Sequence, residues 1–321
     1  MIRVSAPARI HINAAEMNGN LGRAGVGFGF ALKHPRTVVE IRDQQTIAFS
    51  GGEDPKIRQV IDTVEEHVGK RLACEVSVVE SIPQHKGLGS GTQLILSVAV
   101  GLMNARELEY ETVALASWNG RGQHSGIGLG LFQGGGFVVD AGFTIAAWKK
   151  GIVVPIMFRC RLPENWRVVL AIPCTTKDPG LDLHTGAWLP GHGPSSVKDC
   201  ELISRELVTR LMPAALSGDL AEFGASINAI STLGHKENEL KLHGMESIKS
   251  LLKTMREAGA VCAGLSSGGP TVYGVTADNE LATHVAEAAK HHPRMKSGEV
   301  FVTSVDNHGT SIVKIEQGME R

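Results

Sequence analysis

The sequence predicts an α+β fold in two domains, and three observations carry that reading. At 321 residues the chain is long for a single hydrophobic core. Strand-like and helix-like runs mix in both halves without the regular strand–helix–strand period of a doubly wound sheet. A glycine-rich junction at 83–94, PQHKGLGSGTQL, joins a strand to an apolar helix in the first half.

Taken in order, residues 2–12, 37–41 and 46–49 are β-like runs. Asp54-Pro55 opens a helix, with Asp54 as N-cap and Pro55 at the first helical position. Ile57, Val60, Ile61, Val64 and Val68 mark its buried face, and Gly69 closes it. Cys74, Val76 and Val78 alternate with Glu75 and Ser77, which predicts a strand running into the glycine junction. The helix beyond it carries Leu94, Val98 and Leu102 on one face, and a shorter helical segment follows near 111–119. A second glycine-rich tract at 120–136 leads into a strand at 137–140. Residues 173–194 have no periodicity and predict a long loop, the kind that usually carries function. Helical periodicity returns at 197–212, 220–230 and 245–257, the last closed by Gly259. Strands are predicted at 261–264 and 271–275, then a helix capped by Asp278 with Leu281 and Val285 inward, then strands at 300–304 and 311–316.

Composition excludes several classes. With 42% hydrophobic and 20% charged residues the chain has the make-up of a soluble globular protein. A formal net charge of −1 provides no basic field for nucleic acid and no attraction to acidic membranes, so any anion site must come from local groups. No apolar run reaches the length of a membrane span, and the opening MIRVSAPARIHI reads as a strand and not a signal peptide, so a cytoplasmic location is expected. Cys74, Cys160, Cys174, Cys200 and Cys262 are odd in number and form no C-x-x-C pair, which reads as reduced thiols and argues against structural zinc.

The chemistry concentrates in the glycine-rich tracts and at the amino terminus. Gly87, Gly89 and Gly91 lack a Cβ, so the backbone can turn sharply and press against a ligand. The helix that follows directs unpaired N–H groups and the positive end of its dipole at the same place. Ser90, Thr92 and Gln93 add side-chain donors, and the whole reads as a pyrophosphate cradle. It is not a Walker A loop, because no Lys-Ser/Thr pair follows the last glycine. A ligand-free strand-to-helix turn is the competing reading, although the run is longer than a tight turn needs. Arg9 and His11 alternate along a strand and face one side. Arg23 sits in a glycine-flanked turn where a guanidinium could fork onto a phosphate. Solvated arginines and a structural histidine are the alternative there.

The 83–94 run resembles the second signature of the GHMP superfamily, whose small-molecule kinases carry P-x3-G-L-G-S-S-A around nucleotide phosphates. Pro83, Gly87, Leu88, Gly89 and Ser90 fit it, while Gly91 and Thr92 depart. The run is more similar to the G-L-G-S-G-T-Q loop of the β-ribofuranosylaminobenzene 5′-phosphate synthases within that superfamily. The amino terminus resembles the same family's P-S-R-[LI]-H and D-L-N-G-x-L-G-R motifs, matched by Pro7, Arg9, His11, Asn18, Gly19, Leu21, Gly22 and Arg23. In 121–136, RGQHSGIGLGLFQGGG, Ser125, Gly126 and Ile127 match the kinases' S-G-x-D, but Gly128 stands where the kinases have their catalytic Asp. Glycine cannot receive the proton of an attacking hydroxyl. In 263–274, AGLSSGGPTVYG, Ser266, Ser267, Gly269, Pro270, Thr271, Val272, Tyr273 and Gly274 fit the synthase form of the third signature, with Gly268 where Trp is expected.

The resemblance implies a ribosomal-protein-S5-like domain over 1–155 and a ferredoxin-like domain over 156–321, with the active site between them. It implies an enzyme that joins phosphoribosyl pyrophosphate to an amino-substituted aromatic or heteroaromatic carboxylate, releasing CO2 and pyrophosphate with Mg2+ as cofactor. Arg9, His11 and Glu16 are then the catalytic candidates. Arg23, Lys86, Gly87, Leu88, Gly89, Ser90, Gly91, Thr92, Gln93, Ser125, Gly126, Ser266, Ser267 and Thr271 are the substrate-binding candidates, and Glu16 or Asp182 could assist Mg2+. The acceptor expected from the family is p-aminobenzoate, in methanopterin synthesis; a related branch uses an aminopyrazole dicarboxylate for C-nucleoside antibiotics. Departures at Asn13, Ala14, Ala15, Glu16, Gly268 and 177–180 point to a smaller, more polar acceptor. A homodimer is expected, with neither nucleic acid nor membrane as partner. An ATP-dependent GHMP kinase using another base, and a non-catalytic ligand-binding module, are the alternatives.

Overall fold

In the computed structural model, which describes residues 1–50, 52, 54–174 and 195–316, the amino-terminal run forms one long strand, β1 (Ile2–Glu16). It pairs antiparallel along nearly its whole length with β2 (Gly25–Asp43), with Ile2 opposite Ile41 and Ile10 opposite Phe30. β2 begins well before the predicted 37–41 run, because the small residues of GVGFGFAL interrupt any recognisable alternation. The register slips between Pro7 and Ala8 and again between His11 and Asn13. The first slip separates two cores: Ile2, Val4 and Ala6 join one, and Ala8, Ile10 and Ile12 the other.

Around this hairpin a seven-stranded sheet assembles. β4 (Cys74–Glu80) pairs antiparallel with the far half of β2, and β3 (Ala48–Ser50) lies parallel to β4. β5 (Phe137–Asp140) pairs with the near half of β2, and β6 (Ile156–Cys160) pairs with β5. Two helices cover one face: α1 (Pro55–Val68) and α2 (Ser90–Ala105), followed by the shorter α3 (Thr112–Trp118). α1 starts and stops as the sequence predicts. The Asp54 carboxylate accepts the Lys56 N–H at 2.8 Å, and Gly69 ends the helix at φ 69°.

The glycine tract after α3 contains a helix, α4 (Ile127–Gly134), which is not among the elements the sequence predicts. Helix propensity is overridden by packing. A Cβ on Gly130 would stand 2.5 Å from Ile156 Cδ1, and one on Gly134 would stand 3.1 Å from Arg159 Nη1. The short helix α5 (Ile145–Lys149) follows β5.

The second sheet is antiparallel, in the order β10–β7–β9–β8: β7 (Arg167–Ile172), β8 (Cys262–Leu265), β9 (Val272–Thr276) and β10 (Glu299–Ser304). β7 shows the expected two-residue period. Val169 and Ala171 face α10 (Met245–Glu257) and α11 (Asn279–His291), while Val168 and Leu170 face the other way. On that other side lie α6 (Val197–Glu206), a π-helical turn at Leu207–Leu211, α7 (Met212–Ser217) and α8 (Leu220–Ile230). Phe28 and Phe30 of β2 share this core with Trp166, Phe223 and Tyr273, so the two sheets are built on common apolar ground.

The final strand, β11 (Ser311–Lys314), returns to pair with β1. With β6 and β11 both in the first sheet, the expected division at 155/156 is corrected: the second unit starts after Cys160 and gives its last strand back. The predicted loop at 173–194 lies outside the described residues from 175 onward.

α2 meets the sheet through Gly101, where a Cβ would come within 2.6 Å of Ile41 Cδ1 in a fully buried contact. Gly101→Ala is expected to destabilise the protein by about 1–3 kcal/mol through overpacking. Adding Ile41→Val should restore most of that loss, read from urea unfolding of the two single variants and the double variant.

Candidate active site

The glycine loop divides its labour between protein contacts and an open space. Gly87 has φ +73°, and a Cβ there would stand 2.9 Å from the Gly269 carbonyl and closer still to that of Ser266. Its own carbonyl accepts Arg9 Nη1 at 2.8 Å and the Ser266 hydroxyl at 2.7 Å. Leu88 is buried in the core shared by both sheets, and its carbonyl accepts the Arg9 N–H at 3.0 Å. Gly89, left-handed at φ 86°, starts α2 without a side-chain cap, and a Cβ on it would meet Arg9 Cγ at 2.9 Å. Gly91 differs. Among the described residues a Cβ there would meet only Arg121 Nη2 within 4 Å, at 3.7 Å. The first turn of α2 therefore opens its N–H groups into a cleft at Gly91.

Two clefts, each about 340 Å³, meet here and share Arg9, Thr92 and Arg121. The loop cleft is lined by Ser90, Gly91, Gln84, His85 and Lys56. The second cleft runs from His11 and Gly27 past Ser125 and Gly128 to Phe143 and His124, whose rings meet edge to face at 5.8 Å. His235, Glu239 and Ser267 close it from the second unit.

Asp140, at the end of β5, shapes the second cleft from behind. Its buried carboxylate accepts the N–H groups of Gly27 at 2.8 Å, Gly126 at 2.8 Å and Gly142 at 3.0 Å, and the Ser125 hydroxyl at 3.0 Å. Burial pushes its pKa up, and the four donors oppose that. Gly128, at the place of the kinase base, lines the cleft with no functional group, and a Cβ on it would stand 3.2 Å from Thr92 Cγ2.

The second unit contributes α9 (His235–Leu242). Lys236, fully buried, donates from Nζ to Glu239 Oε2 and to the Ser267 carbonyl, both at 2.7 Å. Burial lowers its pKa and Glu239 opposes the shift. Burial likewise lowers Arg9 to about 10, again against the pull of Glu239. Arg121 is lowered by burial alone.

Of the residues singled out in the sequence, Arg9, His11, Gly87, Gly89, Ser90, Gly91, Thr92, Ser125 and Ser267 line the clefts. The His11 backbone is stitched to Ser266 and Ser267, and Ser266 is wholly buried as a staple between the units. Gly126 stands behind the cleft on Asp140. Other candidates have structural work. Glu16 Oε1 accepts the N–H groups of Asn18 and Gly19, at 2.9 and 2.8 Å, and holds that turn; it lines neither cleft, so the catalytic assignment is corrected. Arg23 reaches the carbonyls of Ala141 and Gly142 at 2.8 and 3.0 Å, away from both clefts. Gln93 ties α2 to α4 through the Gly128 carbonyl at 2.9 Å, while Leu88 and Thr271 are core. Lys86 lies within the field of His243 and lines neither cleft.

Among the acceptor-side departures that lie in the described residues, Ala14 faces a cleft, and 177–180 lie outside them. Asn13 is buried and donates to the Ile230 carbonyl, Ala15 is core, and the Gly268 carbonyl pairs with His243. Arg121, Asp140, His235, Lys236 and Glu239 went unnoticed in sequence. Their one visible signal was the i, i+4 spacing of His235 and Glu239 in 234–240, GHKENEL. Among the described residues no group of three His, Cys, Asp or Glu could hold a metal ion, and Asp182 lies outside them. The described residues thus supply no cluster of three such ligands for Mg2+. No helix among the described residues is long and apolar enough to cross a membrane.

Residues 55–132 match the GHMP kinases N terminal domain and residues 211–294 the GHMP kinases C terminal domain. Solved structures share the architecture. A homoserine kinase from Cytophaga hutchinsonii superimposes with a TM-score of 0.70 at 17% identity, covering 97% of both chains. A putative sugar kinase from Campylobacter jejuni does so at 0.71 and 15%, covering 98% of both. The fold is accordingly GHMP-kinase-like, an S5-like unit followed by a ferredoxin-like unit. The beta-ribofuranosylphenol 5′-phosphate synthase of Methanothermobacter thermautotrophicus is 32% identical, over 97% of this chain and 98% of its own. Its namesake in Methanocaldococcus jannaschii is 30% identical, over 96% and 99%. The chain belongs to this synthase family of the GHMP superfamily.

Asp140→Asn should cost about 1–3 kcal/mol, because an amide cannot accept from all four donors and leaves one unmet. Urea unfolding checks the loss, and activity is expected to fall with it as Ser125 loses its anchor.

Proposed function

We propose that the protein is a phosphoribosyl-pyrophosphate-dependent C-ribosyltransferase that couples ribose 5-phosphate to a ring-substituted aromatic carboxylate and releases CO2 and pyrophosphate. The observation that carries this reading is the first turn of α2, open at Gly91 into a cleft whose kinase-base position is Gly128. An anion-binding helix terminus is kept, and the group that would take a proton from an attacking hydroxyl is missing.

The chemistry needs no such group. The C1–O bond of the donor breaks and its electron pair leaves with pyrophosphate, while the ring carbon bearing the carboxylate bonds to C1. The C–CO2 bond then breaks and returns its pair to the ring, so aromaticity is regained without removal of a ring proton. The N–H groups of the α2 terminus face the charge that grows on the leaving group. On the acceptor side, Phe143, His124 and Met17 provide a largely apolar wall with two ring side chains, suited to an aromatic acceptor. Relatives are named for a ribofuranosylphenol product, which suits a hydroxyl-bearing benzoate, and an amino-bearing one supplies electrons to the ring in the same way. Either product would enter synthesis of a methanopterin-type cofactor. Mg2+ is read here as travelling with the substrate phosphates, since the described residues supply no ligand cluster.

Calorimetry should show binding of phosphoribosyl pyrophosphate with Mg2+ and none of ATP, and mass spectrometry should show a C-riboside with one CO2 lost from a benzoate. Tight ATP binding without donor binding would sink the proposal. A higher kcat/KM for an aminopyrazole dicarboxylate than for either benzoate would move the acceptor to the antibiotic branch and leave the reaction class standing.

Gly91→Val is expected to lower donor affinity by about tenfold or more, roughly 1.4 kcal/mol. Unfolding should change little, since the new side chain projects into the cleft and not into protein. Full affinity in this variant would remove the cradle.

A further inference from the structure

We infer that Arg121 grips the phosphate bonded to the reacting carbon and takes up the charge that develops as that bond breaks; this deepens the donor reading above and rests on it. Three residues line both clefts: Arg9, Thr92 and Arg121. Of the two arginines, Arg9 is already engaged, with Nη1 on the Gly87 carbonyl and the field of Glu239 on its charge. Arg121 is held by its backbone, whose N–H donates to the Ala116 carbonyl at 2.7 Å. Among the described residues its guanidinium makes no hydrogen bond or ion pair, and its Nε is closed off from water without an acceptor. Its Nη2 points at the first turn of α2, 3.7 Å from where a Gly91 Cβ would stand.

Two positive ends, a guanidinium and a helix amino terminus, thus face one space, and among the described residues the guanidinium has no ion-pair partner. A buried Nε without an acceptor is costly unless an anion joins the guanidinium, whose forked donors match the paired oxygens of a phosphate. The junction of the clefts narrows the choice of phosphate. A donor whose pyrophosphate lies along the loop cleft and whose ribose enters the second cleft puts its first phosphate, the one on C1, at the point the clefts share. As the C1–O bond breaks, the electron pair moves onto an oxygen of that phosphate, beside Arg121.

The test uses the full chain, its Arg121→Gln and Arg121→Lys variants, and inorganic pyrophosphate as probe. Titration calorimetry should show a loss of about ten- to a hundredfold in affinity for Arg121→Gln, with partial recovery in Arg121→Lys. Melting without ligand should change little, because no hydrogen bond or ion pair of the guanidinium among the described residues is removed. In turnover, kcat should drop in Arg121→Gln while KM for the acceptor stays unchanged. Wild-type pyrophosphate affinity in Arg121→Gln overturns the inference, and so does a loss of affinity that merely tracks a lower melting temperature. A wild-type protein that binds no pyrophosphate overturns it as well. Arg121-dependent pyrophosphate binding in a protein that turns over ATP instead would keep the anion site and discard the donor reading.

Discussion

The carbonyl oxygen of Gly87 receives the Arg9 guanidinium from β1 and the Ser266 hydroxyl from the turn after β8, and the active-site arrangement hangs on that shared acceptor. It can be shared because Gly87 has no side chain to keep the loop away from the 266–269 turn. Once the loop is docked, Gly89 lies over Arg9 and α2 begins inside the molecule, between the two units. A helix terminus aimed at solvent would lose most of its electrostatic effect to screening. Aimed into a cleft closed by both units, it keeps that effect.

Charge is distributed accordingly. Among the described residues Glu239 is the one carboxylate lining the two clefts, and it serves two cations: Lys236 directly at 2.7 Å and Arg9 through its field. Arg121 is left without a share. A chain with a formal net charge of −1 can in this way hold a cleft with positive character, concentrated by burial and not by composition.

The glycines of α4 serve a different end from those of the loop. They let the helix lie against β6 and Arg159 on one side and against Thr92 on the other. Where the GHMP kinases keep a catalytic Asp, this chain has a close contact between Gly128 and α2. The part of the cleft lined by Phe143, His124 and Met17 is assembled from three separate segments that meet at this helix and the β1–β2 hairpin.

Read alone, the sequence determined the element types, the caps of α1, the junction that starts α2 and the family, because each rests on residues a few positions apart. Asp54 with Pro55 and Gly69, or 87–91 before an apolar face, are local signals with local physics. Even the lost kinase base was legible at Gly128. What only the tertiary structure decided is which of those residues face the ligand. Glu16, Arg23 and Gln93 have the right chemistry, but their polar atoms are consumed by a turn, by the carbonyls of 141–142 and by the Gly128 carbonyl. Arg121 carries no motif of its own as an arginine beginning a glycine tract, and its importance comes from the partners it lacks. Unpaired burial is a property of three-dimensional surroundings, set by residues from both units, and no local pattern encodes it.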